Sequence, residues 1–189
     1  MKKGYKKLSL SYMSSVLLHQ EEINLIINRL SRQIIELNNL DSTVIIGVQP
    51  RGIYLAEKIH KIIENLTATK IPYGIIDDTF HRDDFRRGKI VKANTTNIDF
   101  EIEGKNVILI DDVLYTGRTI RAALDALLMY GRPKRIELLV LIDRRFNREL
   151  PIQPDFVGKT IDTIENVKVL VQWKQNEQEQ DFVIFENEN

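Results

Sequence analysis

Residues Val107–Ile110 read Val-Ile-Leu-Ile, and the next two residues are Asp111 and Asp112. Four aliphatic residues in a row have no polar face to turn to water. The segment is therefore expected to be a strand buried on both sides. The acidic pair is followed by a tight turn, Tyr115-Thr116-Gly117-Arg118-Thr119, and then by a helix expected over Thr119–Tyr130. Gly131 and Pro133 stop that helix.

The remaining pattern says what covers such a strand. Apolar residues at helical spacing (Ile23, Ile26, Ile27, Leu30, Ile34, Leu37) predict a helix over Glu21–Leu37 with all six on its buried face. Thr43–Val48 reads as a strand. Ile53–Leu66 reads as a helix, buried through Leu55, Ala56, Ile59, Ile62 and Ile63. Pro72–Ile76 and Ile136–Ile142 read as further strands, the last ending at Asp143. Apolar strands alternating with helices imply an α/β, doubly wound, mainly parallel sheet with helices on both faces. The 189 residues fit one domain, 1–189. Asp77–Gly104 is polar, with a weak strand signal over Ile98–Ile102, and is expected to be a flexible flap. From Pro151 onward, short strands at Val167–Val171 and Phe182–Phe185 predict a small C-terminal hood or edge hairpin over 151–189. Gln175–Gln180 is expected to be an exposed turn.

Composition removes several function classes. Lys+Arg and Asp+Glu both total 27, so global charge gives no argument for nucleic acid or a membrane surface. No cysteine is present, which excludes disulfides and thiolate nucleophiles and agrees with a cytoplasmic setting. No apolar run approaches the roughly 20 residues of a membrane span. Gly47–Gly52 has the spacing of a Walker loop but continues Ile53-Tyr54, and neither G-x-G-x-x-G nor G-x-S-x-G occurs.

What survives is a phosphate site of another kind. The Tyr115–Thr119 turn offers backbone N–H groups, two threonine hydroxyls and the positive end of a helix dipole. Asp111 and Asp112 would repel a phosphate, so they suit something else on the same ligand, such as ribose hydroxyls or a metal ion. A sugar phosphate satisfies both halves. The plainer alternative is that the two acids are solvated loop residues that cap the next helix.

The segment Val107–Thr119, VILIDDVLYTGRT, resembles the phosphoribosyl-pyrophosphate motif of type I phosphoribosyltransferases. The continuation RAALDAL…GRPKRIELLVLIDR…RELPI…DFVGK is similar to the PyrR family, with the similarity running from about Ile23 to Glu186-Asn187. The resemblance implies the type I phosphoribosyltransferase fold. It also implies transfer of phosphoribosyl from 5-phosphoribosyl-1-pyrophosphate to a nucleobase, uracil first, giving UMP and pyrophosphate. Mg²⁺ would travel on the pyrophosphate, with Asp111 and Asp112 the candidates for any direct contact to it. The family's roles would put Asp111 and Asp112 on the ribose hydroxyls and Tyr115, Thr116, Gly117, Arg118 and Thr119 around the 5-phosphate, with Val113 and Leu114 between them in the same substrate-binding segment. Gln49, Pro50, Arg51 and Gly52 match the pyrophosphate loop, and Arg82-Asp83-Asp84 opens the flap. Arg51, Arg82 and the Asp143-Arg144 acid–base pair at the nucleobase end would carry catalysis.

Members of that family also bind an RNA leader, and the resemblance places Arg29, Lys159 and Thr163 at RNA-facing positions. The chain departs from the family at several points. Pro50 stands where Thr is common, and His81 stands where Tyr is usual. Leu37 replaces an Arg, and Arg145-Phe146-Asn147 replaces a Gly-His. Gln153 replaces an Arg, and Asp162 a Pro. Fewer cations at RNA-facing positions predict weaker RNA binding. Three readings stay open: a uracil phosphoribosyltransferase, an RNA-binding attenuator with little catalysis, and a transferase for another base. Relatives' assemblies imply a homo-oligomer, a dimer or larger.

Overall fold

A computed structural model describes residues 15–81, 94–162, 167–174 and 179–187. Strand β1 (Ser15–Leu18) leads into helix α1 (Gln20–Leu37), followed by β2 (Thr43–Val48), α2 (Gly52–Thr67) and β3 (Tyr73–Ile76). After the 77–104 segment come β4 (Asn106–Leu114), α3 (Arg118–Leu127) and β5 (Arg135–Arg145). The chain closes with β6 (Phe156–Asp162), β7 (Val167–Gln172) and β8 (Phe182–Asn187).

Five strands form one parallel sheet in the order β3-β2-β4-β5-β6. Alternate residues of its central strands face two separate cores. Ile45, Ile108, Ile110, Leu139 and Leu141 pack against the buried stripes of α1 and α2. Val44, Ile46, Val107, Leu109, Leu138 and Val140 pack against Ile120, Ala123 and Leu127 of α3. The doubly wound α/β class expected from the aliphatic strands is what forms.

The structure adds two strands that the apolar pattern does not reveal. β6 buries only Phe156 and Ile161 and carries Gly158 and Lys159 between them, so no continuous apolar run betrays it. It pairs with β5 as the edge of the large sheet. The C-terminal stretch from Pro151 thus divides: β6 belongs to the large sheet, while β7 and β8 form a three-stranded antiparallel sheet with β1.

Three further expectations are corrected. Leu37 is 69% exposed, because α1 ends there and has run past the sheet it covers. Helix α3 stops at Leu127, and Leu128, Met129 and Tyr130 are exposed beyond it. Ile98–Ile102 forms no strand; a single bridge joins Asn97 to Ile75, and Ile102 plugs the α3-side core from a loop.

Candidate active site

The chain leaves β2 to form β3 on one side and returns to form β4 on the other. The carboxyl ends of β2 and β4 therefore bound the crevice in which open α/β sheets hold ligands. Gln49, Pro50 and Arg51 follow the end of β2, and Asp111 and Asp112 lie near the carboxyl end of β4. A cavity of about 350 Å³ opens there, bounded by these residues, Thr119, Arg144 and the strand β7 from Val167 to Leu170.

Gly52 fixes the approach of the two loops. A Cβ at that position would lie 2.5 Å from the Ile110 carbonyl oxygen and 2.8 Å from the Asp111 Cα. Only glycine lets the first turn of α2 rest on the end of β4. Gln49 donates from Nε2 to the Thr95 carbonyl at 2.7 Å, tying this loop to the returning end of the 77–104 segment. The Gln49–Pro50 peptide is cis. Asp77 holds the same segment from both ends, since its carboxylate accepts from Thr79 Oγ1 (2.6 Å) and from Asn94 N (2.9 Å). Arg82, Asp83 and Asp84 lie outside the described residues, as does Thr163.

Both acids of the pair are buried. Asp111 Oδ1 accepts from the Asp112 backbone N–H at 2.8 Å, while Asp112 Oδ2 has no hydrogen-bond partner among the described residues. Burial pushes the Asp111 carboxyl well above the usual carboxylate range, and the adjacent Asp112 charge pushes it further. Burial also raises Asp112, against the opposing pull of the Arg51 guanidinium. A solvated helix cap has neither feature. A buried, unsatisfied carboxylate oxygen on a residue that lines a cavity fits a site that takes a hydroxyl or cation from a ligand.

The turn after β4 is shaped by a glycine. Gly117 caps α3 at φ 91°, ψ −5°, the left-handed region that glycine enters without penalty. Thr116 Oγ1 accepts from the Arg118 N–H at 3.4 Å. Arg144 enters the cavity with its guanidinium carbon 3.9 Å above the Tyr115 ring, a cation–π contact in a buried setting. Val113 lines the cavity beside the acids, and Leu114 instead packs into the α3-side core. Arg118 turns away to pair with Glu149.

Asp143 and Arg144 line different cavities. Adjacent strand residues face opposite ways, and Asp143 lies in a neighbouring cleft, paired with Arg148 at 2.5 Å. Sequence reasoning missed Arg148, and it missed the contribution of β7 to the cavity; both sit far from the motif along the chain. Arg29 is placed on α1, where Nη2 donates to the carbonyls of Val157 (3.0 Å) and Gly158 (2.6 Å), next to Lys159. Among the described residues, no group of three His, Asp or Glu side chains is placed to hold a metal ion. No helix among them is long and apolar enough to cross a membrane.

Residues 13–177 match the phosphoribosyl transferase domain. The chain is 50% identical to the bifunctional protein PyrR of Limosilactobacillus fermentum over 77% of its own length and 83% of that protein's. The chain belongs to the phosphoribosyl transferase family, in its PyrR branch. Against the bifunctional protein PyrR of Listeria monocytogenes serotype 4b the identity is 46%, over 89% of this chain and 94% of that one. The fold is also that of the hypoxanthine phosphoribosyltransferase of Trypanosoma cruzi, solved by crystallography. The TM-score is 0.67 with 19% identity, covering 92% of this chain and 97% of that one. At that identity the likeness speaks for architecture alone.

Proposed function

We propose that this phosphoribosyltransferase moves the phosphoribosyl group of 5-phosphoribosyl-1-pyrophosphate to uracil, releasing pyrophosphate and UMP. One observation carries the reading. A buried acid pair with an unpartnered oxygen stands directly before a glycine-capped turn, in the crevice where the sheet's strand order reverses. A ribose 5-phosphate matches both: its hydroxyls meet Asp111 and Asp112, and its phosphate meets the Tyr115–Thr119 backbone and the N-terminus of α3. Uracil rests on the PyrR branch, in which a Lactococcus lactis relative bears the name pyrimidine operon regulatory protein.

The reaction breaks the bond from ribose C1 to the pyrophosphate oxygen and forms one to a base nitrogen, and the nitrogen's proton leaves to solvent. Positive charge develops on the sugar ring, and the Asp111–Asp112 pair would stabilise that charge. Arg51, at the N-terminus of α2 and lining the cavity, would hold the departing pyrophosphate. Asp111 and Asp112 would be the residues to contact Mg²⁺ arriving on the substrate, and the ion would supply neutralisation of the pyrophosphate charge. Arg144 and β7 also line the cavity and would help keep water from the activated C1.

The RNA alternative has less behind it. Arg29 is committed to two strand carbonyls, and Arg145 is held by Asp162 through two 2.8 Å hydrogen bonds. The deciding experiment is pyrophosphate release with phosphoribosyl pyrophosphate, Mg²⁺ and a panel of bases. Turnover with uracil and not with hypoxanthine or guanine is expected. Turnover with a purine alone would overturn the substrate, and none with any base would overturn the reaction.

A further inference from the structure

The connection from β5 to β6 is strapped across the turn that follows β4. The Thr116 carbonyl accepts from two of its backbone amides, Glu149 N at 3.0 Å and Leu150 N at 3.3 Å. Arg118, the first residue of α3, reaches Glu149 Oε2 from Nε at 2.6 Å. Ile152 and Leu150 close over the bare face of Gly117, where a Cβ would meet them at 3.3 and 3.5 Å. At the centre stands Arg148. Its Nη1 donates to the Tyr115 carbonyl, and its Nη2 donates to Asp143 Oδ1 at 2.5 Å. The two side chains are 21% and 13% exposed, so the pair is largely desolvated and strong for its kind.

Arg148 does not line the cavity that holds the acid pair. Its effect on a ligand there must pass through the backbone. A donor on a peptide carbonyl polarises that peptide and makes its N–H a better donor. The peptide from Tyr115 to Thr116 carries such a donor from Arg148, and the next peptide carries two from the strap. Two consecutive N–H groups of the turn are thereby strengthened and held in register, as an anion nest requires. A forked guanidinium can serve the Tyr115 carbonyl and Asp143 together; a lysine ammonium has no such fork.

We propose that Arg148 is a positioning residue for the 5-phosphate: by joining the end of β5 to the Tyr115–Thr119 turn, it presets the backbone donors of the phosphate nest. This rests on the reading above that the turn holds the 5-phosphate.

The test uses the full chain as wild type, Arg148→Met and Arg148→Lys, with calorimetric titration of ribose 5-phosphate and, separately, of magnesium pyrophosphate. Kinetics with phosphoribosyl pyrophosphate and uracil accompany it. Arg148→Met is expected to weaken ribose 5-phosphate and raise KM for phosphoribosyl pyrophosphate by about tenfold each. Pyrophosphate affinity should hold within about twofold and kcat within about threefold, because the nest binds ground and transition states alike. Arg148→Lys should fall between the two and serves alone if the Met variant does not fold. Equal losses for both ligands would show a merely structural role and overturn the proposal, as would unchanged ribose 5-phosphate affinity. A wild type that binds pyrophosphate but not ribose 5-phosphate would overturn the reading of the turn itself, and the role of Arg148 with it.

Discussion

Two buried carboxylate sites of this molecule are solved in opposite ways. Asp181, 1% exposed, sits where the three-stranded sheet meets α1 and α2. It accepts from the Lys174 N–H (2.7 Å), Lys58 Nζ (2.9 Å) and Gln20 Nε2 (3.1 Å), and its own N–H donates to Gln20 Oε1 (2.8 Å). Burial opposes its charge, but the Lys174 amide, Lys58 and Gln20 outweigh burial and hold the carboxyl below the usual range. Asp111 and Asp112 are buried too, yet one oxygen is left unpartnered and both carboxyls are pushed up. A carboxylate whose bonds are all made locks two layers together. A pair kept short of partners is held ready for a ligand and costs stability until one arrives.

The difference has a sign in pH. Asp181 binds its proton more weakly folded than unfolded, so its stabilisation is complete above about pH 4 and drains away as pH falls through its lowered pKa. The acid pair binds protons more tightly folded than unfolded. Its destabilisation is absent at low pH and grows as pH rises above about 4 toward the raised pKa values.

The sharpest break of the comparison is Asp112→Asn. Turnover should fall by about a hundredfold or more, since a charge aimed at the developing cation is lost. Stability should rise by about 1 kcal/mol near pH 7 and by less near pH 4. Steady-state kinetics and urea unfolding at both pH values read the two effects. Activity and stability falling together would mean the acids are structural after all. Asp181→Asn should move the other way, with a loss of about 2 kcal/mol at pH 7 and a flatter acid limb of the stability profile. An acid limb as steep as the wild type's would show that Asp181 is not the lock.

How much of this could be read in the sequence follows from how locally each part is built. The acid pair, the glycine-capped turn and the strand before them occupy consecutive positions, Val107–Thr119, and a short motif exposes them. The parallel sheet was legible because its inner strands are apolar on both faces. The edge strand β6, half-polar and interrupted by Gly158, was not. The β7–β8 hairpin was legible, but its third strand β1 was not, since it pairs Ser15 with Phe185 across most of the chain. Arg148 and Asp181 act through partners distant in sequence, and no spacing rule announces a side chain whose role is set by what folds against it.

The smallest expected effect is also the control on the other two. Leu37 continues the apolar stripe of α1 in sequence, yet it is exposed at the helix's last turn, where no basic residue stands. Leu37→Lys removes little buried area and puts a cation against the negative end of the helix dipole. Stability should therefore stay within about 0.5 kcal/mol of the wild type, with any change on the stabilising side. The lysine is charged throughout the pH range in question and touches neither carboxylate site, so both pH slopes should be unchanged. A loss above about 1 kcal/mol would mean that Leu37 is covered in solution. The stripe would then be an interface, and the two-site account of stability would need a third, apolar contribution.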